Sequence, residues 1–206
     1  MSGTADVPLP SAEPLLGIFV GGKASRMNRP KGLLRAPDGS GRTLVARLLD
    51  EIRAALPRAP VTLVGRGVET EHFDLPVVSD SEIDCGPLGG LVGLLDYAAK
   101  QRRRAVIALS CDLPYLRRDL IASLASDKSG AEVVCPMSEG KFQPLIARYQ
   151  TECRGVFREA LLDRKLSLQR LFTNLDVHVL NLSEVQLQQT QDWDRPEDLP
   201  GGDPYI

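Results

Sequence analysis

An α/β fold with a mainly parallel mixed sheet flanked by helices is what the sequence predicts, on two observations. Short apolar runs of strand length at residues 15–20, 61–64, 75–78 and 105–109 alternate with helix-length segments at 43–56 and 88–100. The runs are close to continuous in apolar residues, as strands covered on both faces are. Ligands of such sheets bind beyond the carboxyl ends of the strands, so function is expected in the residues that follow each run.

The first strand, 15–20, ends in Gly21-Gly22 and a polar loop over 23–30. Asp38-Gly39-Ser40-Gly41 is a turn. Thr43 is a good N-cap for an amphipathic helix through 56, with Leu44, Leu48, Ile52 and Leu56 spaced by four, and Pro57 and Pro60 end it. Strands two and three are expected at 61–64 and 75–78, a helix at 88–100 and strand four at 105–109. Beyond these, 118–125 reads as helix, 132–136 and 144–149 as strands, 151–162 as helix and 176–180 as a last strand, with 192–199 closing the domain. Neither repeats nor linkers interrupt the chain.

The 206 residues suit one large domain better than two small ones. That domain is expected over 15–206. Residues 1–14, rich in small residues, proline and acids, read as a disordered leader, since no basic start precedes an apolar stretch. A net charge of −2 argues against a generic nucleic-acid binder. The basic run Arg102-Arg103-Arg104 reads as a solvated helix end or loop, the alternative being a phosphate or nucleic-acid contact. Cys85, Cys111, Cys135 and Cys153 form no CxxC pair, which argues against a zinc site or redox dithiol, and a cytoplasmic location is the simplest reading. No apolar run approaches a membrane span. His72 and His178 have no partner pattern for catalysis, and Trp193 reads as an anchor for the C-terminal segment.

The residues after the four strands carry the chemistry. After strand one, Gly21 and Gly22 allow close backbone approach to a ligand, and Arg26, Arg29 and Lys31 add three cations, which together suit a triphosphate. No GxxxxGK[ST] occurs, so this is not a P-loop; a solvated basic loop is the rival reading. After strand two, Gly65-Arg66-Gly67 lacks the third glycine of a dinucleotide fingerprint and reads as a turn. After strand three come Asp80 and Gly86-Pro87-Leu88-Gly89-Gly90. The glycines bring a helix N-terminus close to a ligand, and the Asp80 carboxylate suits guanine's N1–H and N2–H₂ donors; a solvated loop aspartate is its alternative. After strand four, Asp112 is a carboxylate beside a buried strand, which suggests either a Mg²⁺ ligand or a helix N-cap.

Gly21-Gly22-x-x-x-Arg26-Met27-x-x-x-Lys31, Gly86-Pro87-Leu88-Gly89-Gly90 and Cys111-Asp112-x-Pro114-Tyr115 together resemble the molybdenum cofactor guanylyltransferase (MobA-like) family. Gln143-Pro144-Leu145 and the closing segment Asp192-Trp193-Asp194-Arg195-Pro196-Glu197-Asp198-Leu199 agree with it. The resemblance implies a Rossmann-like nucleotidyltransferase fold. It also implies that Val20, Gly21, Gly22, Lys31, Asp80, Gly86, Pro87, Leu88 and Asp112 hold the nucleotide, with Lys31 and Arg26 stabilising phosphate charge. Mg²⁺ would sit on Asp112, with Asp194 as a candidate second ligand, and Gln143, Asp192 and Asp194 would face the acceptor. The implied reaction transfers GMP from GTP to the phosphate of molybdopterin or the molybdenum cofactor. Neither nucleic acid nor a membrane is an implied partner, and a labile cofactor implies hand-over among proteins that handle it.

The chain departs from the family at Pro30, which precedes Lys31 where an aspartate is common, and in a loop one residue shorter. It departs also at Gly65, where an asparagine is common, and at Asp192 and Asp194, which replace asparagines. These departures keep open cytidylyl transfer to the molybdenum cofactor, or nucleotidyl transfer to a sugar or polyol phosphate.

Overall fold

The computed structural model describes residues 13–20, 30–82 and 84–199. Its strands are β1 (Leu15–Phe19), β2 (Val61–Val64), β3 (Val77–Val78), β4 (Ala105–Ser110), β5 (Val133–Ser138), β6 (Lys141–Phe142), β7 (Ile146–Gln150) and β8 (Val177–Leu180). Among the described residues these form one sheet of order β3-β2-β1-β4-β7-β5-β6, with β8 beside β5. β1, β2, β3 and β4 are mutually parallel, β7 runs antiparallel between β4 and β5, and β8 is parallel to β5. The sheet is mixed and flanked by helices, as the alternation of apolar runs predicts.

β1 is buried along its whole length because it is central and covered twice. Leu16 and Ile18 face one core with Val45, Leu48 and Ile52 of α1 (Leu44–Ala55) and Leu120 and Leu124 of α4 (Arg118–Ser126). Leu15 and Phe19 face the other core, with Leu88, Leu91 and Leu95 of α3 (Gly86–Lys100) and Phe157 of α5 (Arg154–Leu162). Burying each such side chain contributes roughly 1.5–3 kcal/mol. The period of four in α1 places Leu44, Leu48 and Ile52 inward, and the Thr43 hydroxyl caps the helix by accepting from the Ala46 N–H at 3.2 Å.

Several boundaries differ from the expectation. α3 starts at Gly86, two residues early, because Pro87 fits the first helical turn, where its missing N–H costs nothing. The expected helix at 151–162 is a 3-10 turn, Thr151–Cys153, followed by α5. β3 keeps only Val77 and Val78, since Pro76 offers its carbonyl, not an N–H, to Leu63. α2 (Glu69–His72), α6 (Leu168–Leu171), α7 (Glu184–Gln188) and β6 span two to five residues, too few for periodicity to reveal. His72 ends α2 and His178 lies on β8, both exposed. All four cysteines are free and buried, as core thiols would be.

α3 lies unusually close to the β3 end of the sheet. A Cβ on Gly93 would stand 2.7 Å from the Ser79 carbonyl oxygen, which is backbone and cannot swing away. Gly93→Ala therefore sets a helix-propensity gain of about 1 kcal/mol against overpacking of about 1–3 kcal/mol. We expect the clash to win and the urea midpoint to fall; a midpoint equal to or above the parent's would contradict this packing.

Candidate functional site

Five segments converge at the carboxyl ends of the parallel strands. Val20 follows β1 and is buried, with its N–H donating to the Val64 carbonyl at 2.9 Å. Gly21, Gly22, Arg26 and Arg29 lie outside the described residues. The chain is described again from Pro30, whose extended backbone leads into the 3-10 turn Lys31–Leu33. That turn is anchored from below. Glu69 is 1% exposed, and its carboxylate accepts the Gly32 N–H at 3.3 Å. A Cβ on Gly32 would stand 2.7 Å from Val45 and 3.0 Å from Glu69, so the turn is set directly onto α1 and α2.

The Lys31 ammonium reaches across the strand ends. It donates to Asp112 Oδ2 at 2.8 Å and to Asp194 Oδ1 at 2.5 Å. The Asp112 side chain is 13% exposed and that of Asp194 is 48% exposed, so the Asp112 contact is the less screened and the stronger of the two. Burial alone would lower the pKa of Lys31, but the two carboxylates outweigh it and raise it above its ordinary value. Lys31 is a fixed cation across the physiological pH range.

Asp112 is held on its other side by the Ser110 hydroxyl, which donates to Oδ1 at 2.6 Å. It is not a helix cap: α4 begins six residues later, and its N-cap is Arg117. The carboxylate is turned into the site instead. Cys111 beside it is inert, because burial, with Asp112 and Glu69 nearby, pushes its thiol far above the ordinary range.

The C-terminal segment closes the site. Trp193 is buried with Leu34, Ala36, Leu44 and Leu199, meets Tyr115 edge-on, and donates its N–H to the Asp112 carbonyl at 3.0 Å. It anchors the segment, as its sequence context predicts. Asp198 Oδ2 accepts the N–H groups of Asp194 and Arg195 at 2.9 and 2.7 Å, which orients Asp194 toward Lys31. Burial, then the carboxylates of Asp112 and Asp194, raise the pKa of Asp192. Three carboxylates thus surround one ammonium.

Asp80 lies between the loop after β2 and the start of α3. Burial raises its pKa, and Arg66 opposes this. A Cβ on Gly90 would come within 3.1 Å of its Oδ1, so the small residues of α3 leave its space. Gly65 has a φ of 105°, and a Cβ there would stand 2.5 Å from the Val20 carbonyl oxygen. No side chain fits at Gly65, which leaves only backbone at that point. Gly86 and Pro87 are exposed at the N-terminus of α3, where no side chain caps the first turn. Leu88 corrects the sequence expectation in part: its side chain is wholly buried in the core, so only its backbone can meet a nucleotide.

Gln143 reaches the same edge through β7. Leu145 accepts the Ser110 N–H at 2.9 Å, and Ile146 pairs with Leu109, so 143–145 lies beside the end of β4. Sequence reasoning passed over Glu69, Ser110 and Asp198. Each acts by holding a backbone or a carboxylate, and a lone polar residue gives no sequence signal of that.

Among the described residues no group of three or more His, Cys, Asp or Glu side chains is arranged to cage a metal ion. Mg²⁺ does not require such a cage, since it binds through one or two carboxylates with waters and substrate phosphates. Among the described residues, Asp112, Asp192 and Asp194 cluster around the Lys31 ammonium, and burial, then the Asp112 and Asp194 carboxylates, raise the pKa of Asp192; such a donor set fits a divalent cation. Because that pKa is raised, the charged form of Asp192 costs stability above its folded pKa, and the cost vanishes below the ordinary carboxylate value. Asp192→Asn should therefore raise the thermal midpoint near pH 7 in metal-free buffer, with the gain fading toward pH 4. A lower midpoint at pH 7 would contradict the repulsion.

Comparison with known proteins follows this geometry. Residues 17–179 match the MobA-like NTP transferase domain. A probable molybdenum cofactor guanylyltransferase of Carboxydothermus hydrogenoformans is 28% identical over 170 residues, 82% of each chain. A molybdenum cofactor guanylyltransferase of Mesorhizobium japonicum is 33% identical over 152 residues, 71% of each chain. The crystal structure of molybdopterin-guanine dinucleotide biosynthesis protein A from Archaeoglobus fulgidus superposes with a TM-score of 0.71 at 16% identity, covering 89% of this chain and 93% of that one. The chain belongs to the MobA-like NTP transferase family and is a nucleotidyltransferase.

Proposed function

We propose that the protein transfers GMP from GTP to the phosphate of molybdopterin or its molybdenum-loaded form and releases pyrophosphate. The observation that carries this reading is the Lys31 ammonium, held between Asp112 and Asp194 at the strand ends. An acceptor phosphate oxygen attacks the α-phosphorus of GTP in line, a new P–O bond forms, and the bond to the β-phosphate breaks. Such a transfer needs positioning and charge neutralisation, not a covalent enzyme intermediate.

In this scheme Lys31 exchanges a carboxylate partner for an α-phosphate oxygen and takes up charge as it develops. Arg26 holds the leaving phosphates. The backbone of Val20, Gly21, Gly22, Gly86, Pro87 and Leu88 lines the nucleotide, and Asp80 accepts from the guanine edge. Asp112, with Asp194 as the second candidate ligand, would hold a Mg²⁺ ion, which would supply further neutralisation of the phosphates. Gln143, Asp192 and Asp194 border the acceptor. One domain over 15–206 carries the reaction, in the cytoplasm, with hand-over of the labile product to proteins that handle the cofactor. Among the described residues no helix is long and apolar enough to cross a membrane.

A second reading is favoured by Gly65, where the clash with Val20 allows no side chain to reach the base. The same chemistry would then serve cytidylyl transfer, or transfer to a sugar or polyol phosphate. Calorimetric binding of GTP, CTP, ATP and UTP with Mg²⁺, on the parent and Asp80→Ala, separates the two. We expect GTP to bind best and its advantage to fall by about tenfold or more in the variant, as for a lost hydrogen bond to a charged acceptor. Preference for CTP, or equal binding of all four, would overturn the guanylyl reading.

A further inference from the structure

We propose that the chain carries a second anion site, at the opposite edge of the sheet from Lys31, which binds a small oligophosphate through its phosphates alone. Its place follows from strand direction. β4 runs from Ala105 to Ser110, so Asp112 lies just past its end and Arg102, Arg103 and Arg104 just before its start. A strand of that length spans about 20 Å. β7 runs the other way, with Gln150 opposite Ala105. Thr151 therefore leaves β7 beside Arg104, and its N–H donates to the Arg104 carbonyl at 2.8 Å. The turn Thr151–Cys153 then leads to Arg154 at the start of α5.

Between these two segments lies a cleft of about 920 Å³, whose lining among the described residues carries Arg102, Arg103, Arg104 and Arg154 together with the carboxylate of Glu152, Arg103 also donating to the Glu13 carbonyl at 3.2 Å. Arg102, Arg104 and Arg154 are exposed. Thr151 also lines the cleft; it is 6% exposed, and its Oγ1 has no hydrogen-bond partner. That hydroxyl is closed off from solvent, so the groups a phosphate in the cleft can reach are the guanidiniums. Guanidinium groups are the donors suited to paired phosphate oxygens. Among the described residues the lining contains no aromatic ring on which a base could stack, so the phosphates are what the site reads.

Arg102 adds a further feature. It follows the C-cap of α3 with a φ of 55°, and the Arg103 N–H bonds back to the Ala98 carbonyl at 2.9 Å. This is the helix ending where glycine is the ordinary residue. An arginine there carries backbone strain while placing a guanidinium at the cleft. The run Arg102-Arg103-Arg104, for which the sequence allows a solvated end or a phosphate contact, takes the second role here.

The test is a residue-resolved backbone-amide NMR titration with pyrophosphate, on the parent and on the double variant Arg102→Gly/Arg154→Ala. Glycine suits the backbone at 102, so the double variant is expected to keep its fold. We expect amides of 99–104 and 151–155 to shift along one saturable curve. The apparent affinity should fall about tenfold or more in the double variant. Shifts around Lys31 should be unchanged by these substitutions, so the result stands apart from the fate of the guanylyl reading. The proposal is overturned by the absence of a saturable shift at those amides, or by equal affinity in the double variant. It is equally overturned if chloride at matched ionic strength reproduces the shifts, or if they need a nucleoside and pyrophosphate alone gives none.

Discussion

The Lys31 ammonium joins three parts of the chain that the fold must first bring together. Its two partners lie 81 and 163 positions away in sequence. Each is delivered by a different device. Lys31 rides on a turn fastened to Glu69 and α1; Asp112 hangs from the end of a buried strand and is steadied by Ser110; Asp194 arrives because Trp193 is sunk in an apolar pocket. Loss of any one device would leave the charges near one another but not in register. The mixed sheet serves this arrangement, since the parallel strands place their carboxyl ends together and β7 adds the Gln143 loop to the same edge.

Among the described residues that edge gathers three carboxylates around one ammonium, while the nucleotide site is expected to take a polyanion. Lys31 offsets part of that charge, and burial, then the Asp112 and Asp194 carboxylates, raise the pKa of Asp192. A divalent cation resolves this, and the proposed reaction supplies one together with the nucleotide. The far edge has the reverse bias, with arginines around a cleft at the start of β4. A chain with nearly neutral net charge thus separates its charges across about 20 Å of sheet.

Much of the fold was legible because the strands are uninterrupted apolar runs and α1 has a strict period. Residues 61–64 match β2 end to end, and Thr43 caps α1 as its position suggests. The short elements escaped: β6 and α2 have two and four residues, too few for a pattern to repeat. At the site, Lys31, Asp112 and Asp194 were readable as chemistry-bearing residues after strands or in the closing segment. Their contact was not, because spacing in sequence says nothing of how a C-terminal segment docks. Glu69 was invisible for a different reason. A buried carboxylate that binds a backbone N–H looks, in sequence, like any acid in a short helix. Leu88 shows a different limit: the motif does not say that its side chain belongs to the core.

Pyrophosphate release is the most direct test of Lys31 as the charge-stabilising group. The rate would be followed with saturating nucleotide, acceptor and Mg²⁺ in the parent and in Lys31→Ala, after circular dichroism shows that the variant folds. The account predicts a fall in turnover of about a hundredfold or more, as for removal of a donor aimed at developing charge, with nucleotide affinity much less affected. Turnover within a few-fold of the parent's would contradict it and reduce the Lys31 cluster to a structural ion pair.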